Sequence, residues 1–461
     1  MKTAFLFIIL SSTLLFFSCR KDSFITSPDA SVTITADTIH YDTVFTSVGS
    51  VTQSFKIIND NNQKLRLSSV KLMGGTGSTY KMNVDGLATT EATGIEIEAN
   101  DSIYVFVQVN IDPSAGNLPF VIRDSIQVSF NGNNELVQLE AWGKNAHFLR
   151  NKQIAGTETW TNDLPYVIQG YLYVAAGQTL TIEKGCRIYV HADAPIIVDG
   201  TLKVNGEKDT INRVHFRGDR LDEPYSDYPA AWPGIYFRTD SRDNVLNYAI
   251  IQNSFQAIAV QDPSTNANPK LTLNECIIDN AYDAGIIALN SSIKATNCLI
   301  TNCGKNIAIG KGGDYEFTHC TVASYSNNYI QHKDPVLRLS NSDGTNVAAL
   351  KAIFRNCIFW GEGGILEDEV VVVKSAGDQV EFDHNLWKVK TTPQGIVSGI
   401  INNEPPQFDS INVSKNYYDF RIIQRNSPAV DGGADSGVTI DLNGNSRPVG
   451  IRPDLGCFEK Q

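Results

Sequence analysis

The sequence predicts an all-β protein in which a β-sandwich precedes a parallel β-solenoid with three strands per turn. Two observations support this prediction. A cysteine followed by apolar β-branched residues returns every 22 residues, at Cys276, Cys298 and Cys320. The segment 31–147 instead has short strands that alternate apolar and polar residues, with no such period. A fixed period of about 20 to 50 residues indicates a solenoid, whereas strict alternation is typical of a sheet buried on one face.

The first 30 residues predict export. Met1 and Lys2 precede an apolar run, 4–17, that is too short to span a bilayer. This pattern is typical of a signal peptide, here 1–18, and we assign 19–30 as a tether.

The end of this signal, "LLFFSC", is similar to the bacterial lipobox, in which the cysteine after the cleavage site is lipidated. That cysteine is Cys19, and Phe16 stands where the lipobox usually has leucine. The following Arg-Lys-Asp resembles the short charged signal of surface lipoproteins of the Bacteroidetes type. The resemblance implies a lipid anchor in the outer membrane, at the cell surface. The alternative is a plain secretory signal with an incidental cysteine.

The segment 31–147 predicts an immunoglobulin-like β-sandwich of seven or so strands. Its strand candidates, separated by Asn, Asp and Gly turns, are "SVTITAD", "TQSFKIIND", "SIYVFVQVNI", "SIQVSF" and "ELVQLEAWG". The stretch "TIHYDTVFTSVGSVTQSFKIIND" resembles the opening of bacterial domains that pack such sandwiches near a membrane anchor. We therefore expect the sandwich to hold the solenoid away from the lipid.

The segment 148–461 predicts the solenoid and a closing C-terminal segment. One inward position on consecutive coils would hold a ladder of four small, soft side chains: Cys276, Cys298, Cys320 and Cys357. Stacked thiols in a line offer no tetrahedral metal geometry, so we predict a core role and no metal. The remaining cysteines of this region have no obvious partner: Cys186, Cys303 and Cys457.

The chain from about 166 to 459 resembles the right-handed parallel β-helix proteins of the pectate-lyase-like superfamily. The residues that carry the resemblance are the opening "GYLYVAAGQTLTIEKGCRIYVHADAPIIVDGTLKVNG" and the end "SPAVDGGADSGVTIDLNGNSRPVGIRPDLGCFE". The resemblance implies a right-handed coil of three parallel sheets. It does not imply one activity, because this fold carries lyases, hydrolases and proteins without chemistry.

Composition excludes several classes of function. The formal net charge is −12, so nucleic acid, which demands a basic face, is not an expected partner. The sequence has no HExxH, P-loop or GxSxG element. We predict no cofactor, and calcium remains an open alternative that is not predicted. The calcium-loop lookalike "DLNGNSRP" at Asp441 departs from the EF-hand at Ser446 and Arg452, which favours a terminal turn.

Any functional residues should lie on the outside of the coil, where loops form rims. We take one inward column on the third strand as Ile235, Ile258, Ile286, Ile307 and Ile330. Most long insertions would then follow this strand and form a rim at one corner, with 217–232 on the opposite side. The segment 217–243 combines acids, arginines and aromatic rings. It supplies our glycan-binding candidates: Asp219, Asp222, Asp227, Tyr228, Trp232, Tyr236, Arg238 and Asp240.

The motifs that the resemblance would require for catalysis are missing. The family's hydrolases carry NTD, DD, GHG and RIK motifs, and none occurs here. We therefore favour a surface lipoprotein that binds glycans without catalysis, or that has a structural or adhesive role. The alternative is a polysaccharide lyase or glycoside hydrolase with an atypical site in the groove. The expected partners are the membrane, a polysaccharide and a neighbouring outer-membrane glycan importer.

We expect Cys19→Ala to release the mature protein from the membrane fraction into the soluble fraction, because lipidation at this cysteine is the predicted anchor. Fractionation of cells that express the two forms measures this directly. A membrane fraction that is the same for both would contradict the lipid anchor.

Overall fold

The computed structural model describes residues 23–45, 50–110, 120–222 and 224–461, which fall into two compact units that meet between Asn145 and Ala146. The predicted signal peptide and Cys19 lie outside the described residues. Within these ranges no helix is long and apolar enough to cross a membrane. The helical elements are single 3-10 turns at Gly75–Gly77, Thr210–Asn212, Tyr225–Asp227 and Val413–Lys415.

The first unit is a β-sandwich of two five-stranded sheets. Its strands are β1 (Val32–Ile34), β2 (Thr38–Phe45), β3 (Gln53–Asn59), β4 (Leu65–Leu72), β5 (Tyr80–Val84), β6 (Leu87–Ala88), β7 (Glu91–Ile97), β8 (Ser102–Val109), β9 (Phe120–Phe130) and β10 (Asn133–Lys144). The sheet orders are β1-β3-β8-β5-β6 and β2-β10-β9-β4-β7. Neighbouring strands are antiparallel, except that β2 runs parallel to β10.

Alternation along the strands forms the sandwich core. On β8, Ile103, Val105 and Val107 are buried, while Tyr104 and Phe106 are exposed on the other face. Residues two apart on a strand share a face, so one row of side chains faces the opposite sheet. The predicted β-sandwich is confirmed.

The second unit contains the strands β11 (His147–Ile154), β12 (Thr157–Trp160), β13 (Tyr166–Val174), β14 (Thr179–Glu183), β15 (Arg187–Val190), β16 (Ile196–Val198), β17 (Thr201–Asn205), β18 (Val214–Gly218), β19 (Ile235–Phe237), β20 (Asn244–Asn247), β21 (Ala249–Gln252), β22 (Gln256–Gln261), β23 (Leu271–Asn274), β24 (Ile277–Asp279), β25 (Ala284–Thr296), β26 (Leu299–Thr301), β27 (Lys305–Thr318), β28 (Thr321–Tyr325), β29 (Leu337–Ser340), β30 (Leu350–Arg355), β31 (Ile358–Glu362), β32 (Val370–Val373), β33 (Gln379–Asp383), β34 (Leu386–Trp387), β35 (Ile396–Ser398) and β36 (Ile401–Asn402). A hairpin of β37 (Phe408–Asn412) and β38 (Tyr417–Ile422) follows.

These strands stack as a parallel coil with three sheets. We name the sheets by the order in which each coil passes through them: sheet A contains β14, β17, β20 and β23, sheet B contains β15, β18, β21 and β24, and sheet C contains β16, β19 and β22. The long strands β25 and β27 bend from sheet C into sheet A. Successive strands of a sheet lie about 4.8 Å apart. The predicted three-sheet parallel solenoid is confirmed.

The four ladder cysteines lie at the corner between sheets A and B, and each is fully buried. Each follows a residue with positive φ: Glu275, Asn297, His319 and Asn356. Each thiol also donates a hydrogen bond to the carbonyl oxygen two residues earlier, at 3.3 Å for Cys298 and Thr296. This carbonyl oxygen also accepts a backbone N–H of the preceding coil, at 3.0 Å from Glu275 N to Thr296 O, so the thiol adds a second hydrogen bond at the corner.

Cys186 occupies the same column, which the sequence did not reveal. The register continues from Cys186 through Val214 and Ala249 before it reaches Cys276. Cys303 lies instead at the corner between sheets B and C, and Cys457 lies in the C-terminal segment. All seven described cysteines are buried free thiols.

One inward column was assigned incorrectly. Ile235, Ile258, Ile286 and Ile307 are in register on sheet C, but the next residue of the column is Leu337 and not Ile330. In the coil that contains β29, one insertion therefore precedes this strand and another follows it. Insertions lie on both sides of β29, and the predicted single rim is divided between two corners.

The C-terminal segment covers the outer face of sheet B. A separate apolar cluster joins this face to the segment and contains Leu299, Ala323, Tyr325, Ile358, Trp360, Leu386, Phe420, Ile422, Ala429, Leu442, Leu455 and Cys457. All five residues of β28 are consequently buried. The segment thus packs along part of the outer face of sheet B.

We expect Cys298→Ala to cost on the order of 1 to 2 kcal/mol, because it leaves a small cavity and removes the hydrogen bond from the thiol to Thr296. Cys298→Asp should unfold the neighbouring coils, because it places an unpaired charge in the core. Thermal unfolding measures both. Thr296→Asp, on the outer face two residues earlier, is the matched control and should change stability by less than about 0.5 kcal/mol. An unchanged melting temperature for Cys298→Asp would contradict this account.

We expect His215 on β18 to make stability sensitive to acid. Burial, followed by the charge of Arg187, lowers its pKa from 6.5 to about 4. The contribution of neutral His215 to the free energy of unfolding is therefore complete above pH 6.5. It is lost as the pH falls through about 4. The loss should reach about 1 to 2 kcal/mol, since partial exposure reduces the full effect. Denaturant titrations at several pH values should show a smaller loss in His215→Gln; equal losses would contradict the assignment.

Candidate functional site

The structure divides the predicted glycan candidates between two places. The loop 219–234, which connects sheets B and C, holds Asp219, Asp222, Asp227, Tyr228 and Trp232. Sheet C and the loop after it hold Tyr236, Arg238 and Asp240. The candidates therefore do not form one continuous contact surface.

Trp232 is not available for stacking on a sugar. Its side chain is buried in the core of the coil, and its indole Nε1 donates to the carbonyl oxygen of Gln252 at 2.9 Å. This corrects its place among the contact residues. An indole that packs inside needs a partner for its N–H, and the next coil provides one.

Arg238 serves the framework of sheet C. Its guanidinium forms a two-pronged ion pair with Asp199 on the preceding coil and holds the pKa of that carboxyl below its usual range. The hydroxyl of Tyr173 also donates to Asp199, at 2.9 Å. Tyr236 is half-buried and donates to the carbonyl oxygen of Pro233. The polar groups of Arg238, Tyr173 and Tyr236 therefore already make hydrogen bonds within the protein.

Asp219 and Asp222 are also paired. Asp219 contacts His191 Nδ1 at 2.7 Å, and burial raises its pKa. Asp222 accepts from Arg220, whose guanidinium lies 3.6 Å from the ring centre of Tyr225. Both acids thus stabilise the loop, and the loop presents aromatic rings.

Three tyrosines form an exposed cluster that we call the tyrosine rim: Tyr225, Tyr228 and Tyr329. Their exposed fractions are 42%, 36% and 37%, and the ring centres lie 5.2 Å apart for the first pair and 5.1 Å for the second. Tyr329 comes from the loop 326–336, which leaves sheet B several coils later. Two loops distant in sequence therefore build one aromatic surface.

Asparagines at the corner of the coil hold the rim in place. The Nδ2 atoms of Asn253 and Asn280 donate to the carbonyl oxygens of Ser226 at 2.7 Å and Asp227 at 2.9 Å. Asn253 and Asn280 have positive φ, which asparagine tolerates better than most residues. The same residues thus turn the chain and support the loop.

The loop that carries Tyr329 is fixed by a buried pair. His332 Nε2 lies 2.8 Å from Oε1 of Glu369, which is on the next coil, and both side chains are almost fully buried. The amide of Val336 also donates to Glu369. Removing one partner of such a pair leaves an uncompensated buried group. The pair therefore positions the loop that carries one side of the rim.

Next to the rim is a polar cleft of about 190 Å³. It is lined by Arg217, Asp227, Gln252, Asn253, Asp279, Asn280, Asn302, Asn327, Asn416 and Tyr418. Asp227 comes from the loop 219–234, Asn327 from the loop of Tyr329, and Asn416 and Tyr418 from the C-terminal hairpin, while the other six come from sheet B and its corner. Amides, a guanidinium, carboxylates and a phenol together offer both donors and acceptors.

Asp279 is the recessed acid of the cleft. Its Oδ1 accepts from the hydroxyl of Thr301 at 2.8 Å and from Asn302 Nδ2 at 3.4 Å. Burial raises its pKa, and these neutral donors oppose the rise. The Oδ1 atom of Asn280 is buried and has no hydrogen-bond partner among the described residues. A ligand hydroxyl that entered the cleft could satisfy it.

Sequence reasoning missed most of this cleft. Arg217 and Asp227 lie in the predicted segment, but Asp279, Asn327 and Tyr418 do not. The recurrence of asparagine at 253, 280 and 302 was visible and indicated a corner. Its second role, as the support and wall of a cleft, depends on loops that have no period.

A larger groove of about 620 Å³ lies over sheet A. Its charged residues pair across neighbouring coils, with Lys294 3.2 Å from Glu316 and Lys351 3.2 Å from Asp314. Its lining contains no aromatic side chain. A sugar would find hydrogen-bonding groups there but no ring surface, so the rim and cleft are the better candidate site.

The structure offers no support for a metal centre in the described ranges, where no group of three His, Cys, Asp or Glu side chains converges. The calcium-loop lookalike is a turn, because the carboxylate of Asp441 accepts the amides of Asn443 at 2.9 Å and Asn445 at 2.8 Å. Oxygen atoms engaged by N–H donors do not form a cation site.

Comparison with known proteins agrees with the fold. A family model for the right-handed β-helix region matches residues 162–322, and the second unit is a right-handed parallel β-helix. No curated protein sequence matches the chain.

Similar solved structures include pectate lyase Pel9A, at 13% identity over 68% of this chain and 97% of that chain, with a TM-score of 0.23. A family 123 glycoside hydrolase from Clostridium perfringens has 14% identity over 29% of this chain and 30% of its own, with a TM-score of 0.20. PapD-like domain 7 of human CEP192 has 10% identity over 28% of this chain and its entire length, with a TM-score of 0.19.

Proposed function

We propose that this protein is a lipid-anchored protein of the outer membrane or cell surface that binds a glycan without turning it over. One observation carries the proposal: a polar cleft with a buried, unpartnered acceptor adjoins three exposed tyrosines. Sugars present apolar ring faces and rows of hydroxyl groups, so they are bound by aromatic side chains together with mixed donors and acceptors.

The charges of the second unit support binding over catalysis. Several acids of the site region already carry a basic partner: Asp199 with Arg238, Asp219 with His191 and Asp222 with Arg220. Each of these carboxylates is therefore engaged by a basic side chain of the framework. Proton transfer needs a group that can gain and lose a proton at the substrate.

The first unit fits a spacer in this proposal. We assign it as an immunoglobulin-like sandwich that separates the β-helix from the anchor at Cys19. A glycan importer in the same membrane would be a suitable neighbour, because a surface protein that binds a polysaccharide can deliver it to the importer. The absence of such a transporter from the gene neighbourhood would weaken this part of the proposal.

A second candidate function is glycoside hydrolysis in the same cleft. The observation that favours it is Asp279, whose pKa is raised by burial and which shares the cleft with Asp227. A protonated acid beside a second carboxylate is the arrangement of glycosidases. Release of reducing ends from a polysaccharide would favour this candidate, and unsaturated products that absorb in the ultraviolet would indicate a lyase.

We expect the Tyr228→Ala, Tyr329→Ala double variant to lose at least about tenfold in affinity on a glycan array, because two ring contacts disappear. Tyr104→Ala is the matched control, since this tyrosine is 43% exposed and stacked on Phe106 in the first unit. Arg238→Ala should also bind normally, because Arg238 lies outside the cleft.

Melting temperatures show whether each variant is folded. Equal binding by the double variant and the wild type would remove the rim from the site. A wild-type protein that binds nothing on an array of neutral and acidic glycans would overturn glycan binding and leave the structural or adhesive role.

A further inference from the structure

A second pair of exposed rings lies on the corner between sheets B and C. Phe255 and Tyr282 occupy successive coils, with ring centres 6.0 Å apart and planes inclined by 26°. Their exposed fractions are 42% and 53%, so much of their apolar surface is in contact with water. The two rings form a small aromatic platform, which we call the corner platform.

The two rings follow the axis on which the coils repeat, so the coil after Tyr282 is the next neighbour of the platform. That coil has Gly304 at the corner, where a Cβ atom would lie only 2.3 Å from the carbonyl oxygen of Tyr282. No side chain can therefore extend from this position across the ring.

Polar groups flank the platform. The carboxylate of Asp283 accepts from Gln256 Nε2 and from Lys305 Nζ, each at 2.7 Å. One N–H of Lys305 makes that bond, which leaves two of its three donors free for a ligand, and Asp283 retains lone pairs as an acceptor. A ring face with donors and acceptors at its edge is suited to a sugar.

The corner platform is close to the tyrosine rim. Asn253 and Asn280 bind the rim loop through their side chains, and Phe255 and Tyr282 each follow one of these asparagines by two residues. Two residues of extended chain span about 7 Å. The platform and the rim thus lie on adjoining parts of one corner. One oligosaccharide that contacted both of them would require this arrangement.

We infer that Phe255 and Tyr282, with Gln256, Asp283 and Lys305, form a second sugar subsite, so that the protein holds an oligosaccharide chain. This inference rests on the proposed glycan binding and adds the length and class of the ligand. The charges of Asp283 and Lys305 cancel, while the whole chain carries a net charge of −12. A neutral polysaccharide suits this surface better than a polyuronate, whose carboxylates would be repelled.

The test uses the full-length protein with neutral β-glucan, xylan and mannan series and an acidic polyuronate series, each from monosaccharide to hexasaccharide. Affinity should rise with chain length beyond the disaccharide. Tyr282→Ala should weaken hexasaccharide binding about five- to tenfold and leave monosaccharide binding unchanged. Tyr282→Trp should restore the hexasaccharide affinity, because it keeps a ring at this position. Phe106→Ala removes an exposed stacked ring of the first unit, 39% exposed, and should have no effect.

The outcomes separate this inference from the proposed function. If the rim variants lose binding while Tyr282→Ala binds every length as the wild type does, the second subsite is wrong and glycan binding stands. Binding confined to acidic oligosaccharides would overturn the neutral class. A wild-type protein that binds no glycan of either kind would overturn the proposed function and this inference with it.

Discussion

Parallel stacking in register is the constraint on which the second unit depends. Each coil lies about 4.8 Å from the next, and every backbone group of a strand pairs with the coil before or after it. A side chain therefore meets its counterpart on the neighbouring coil at every inward position. The column from Cys276 to Cys357 shows the result, because one small residue fits one repeated space and its thiol donates to the same carbonyl position on each coil.

The same constraint directs variation to the corners. A strand that changed its length would break two ladders, whereas a corner can lengthen without changing the pairing on either side. The loops that carry Tyr228 and Tyr329 are such extensions, and they leave the same corner several coils apart. Asn280 connects the coil to one of these loops. Its backbone turns the coil at the corner, and its Nδ2 donates to the carbonyl oxygen of Asp227 in the loop.

Periodic features could be predicted from the sequence, and contacts without a period could not. The 22-residue spacing is enough to place Cys298 inside. The ion pair of Arg238 with Asp199 was not predicted, because it needs the register of two coils with a long insertion between them. The error at Ile330 arose where an insertion interrupts the spacing, so that Leu337 takes the inward position. The packing of the C-terminal segment on sheet B was also not predictable, because it depends on the fit between two surfaces with unrelated patterns.

Several acids on the outside of the coil are paired with bases of neighbouring coils, as in Asp283 with Lys305 and Asp383 with Arg355. Asp279 differs, because its side-chain donors include the neutral groups of Thr301 and Asn302. A carboxylate held by neutral donors in a recessed site keeps lone pairs for a hydroxyl group of a ligand. Its raised pKa would matter for catalysis only if a second carboxylate faced it across the bound sugar, so the same residue can serve binding alone.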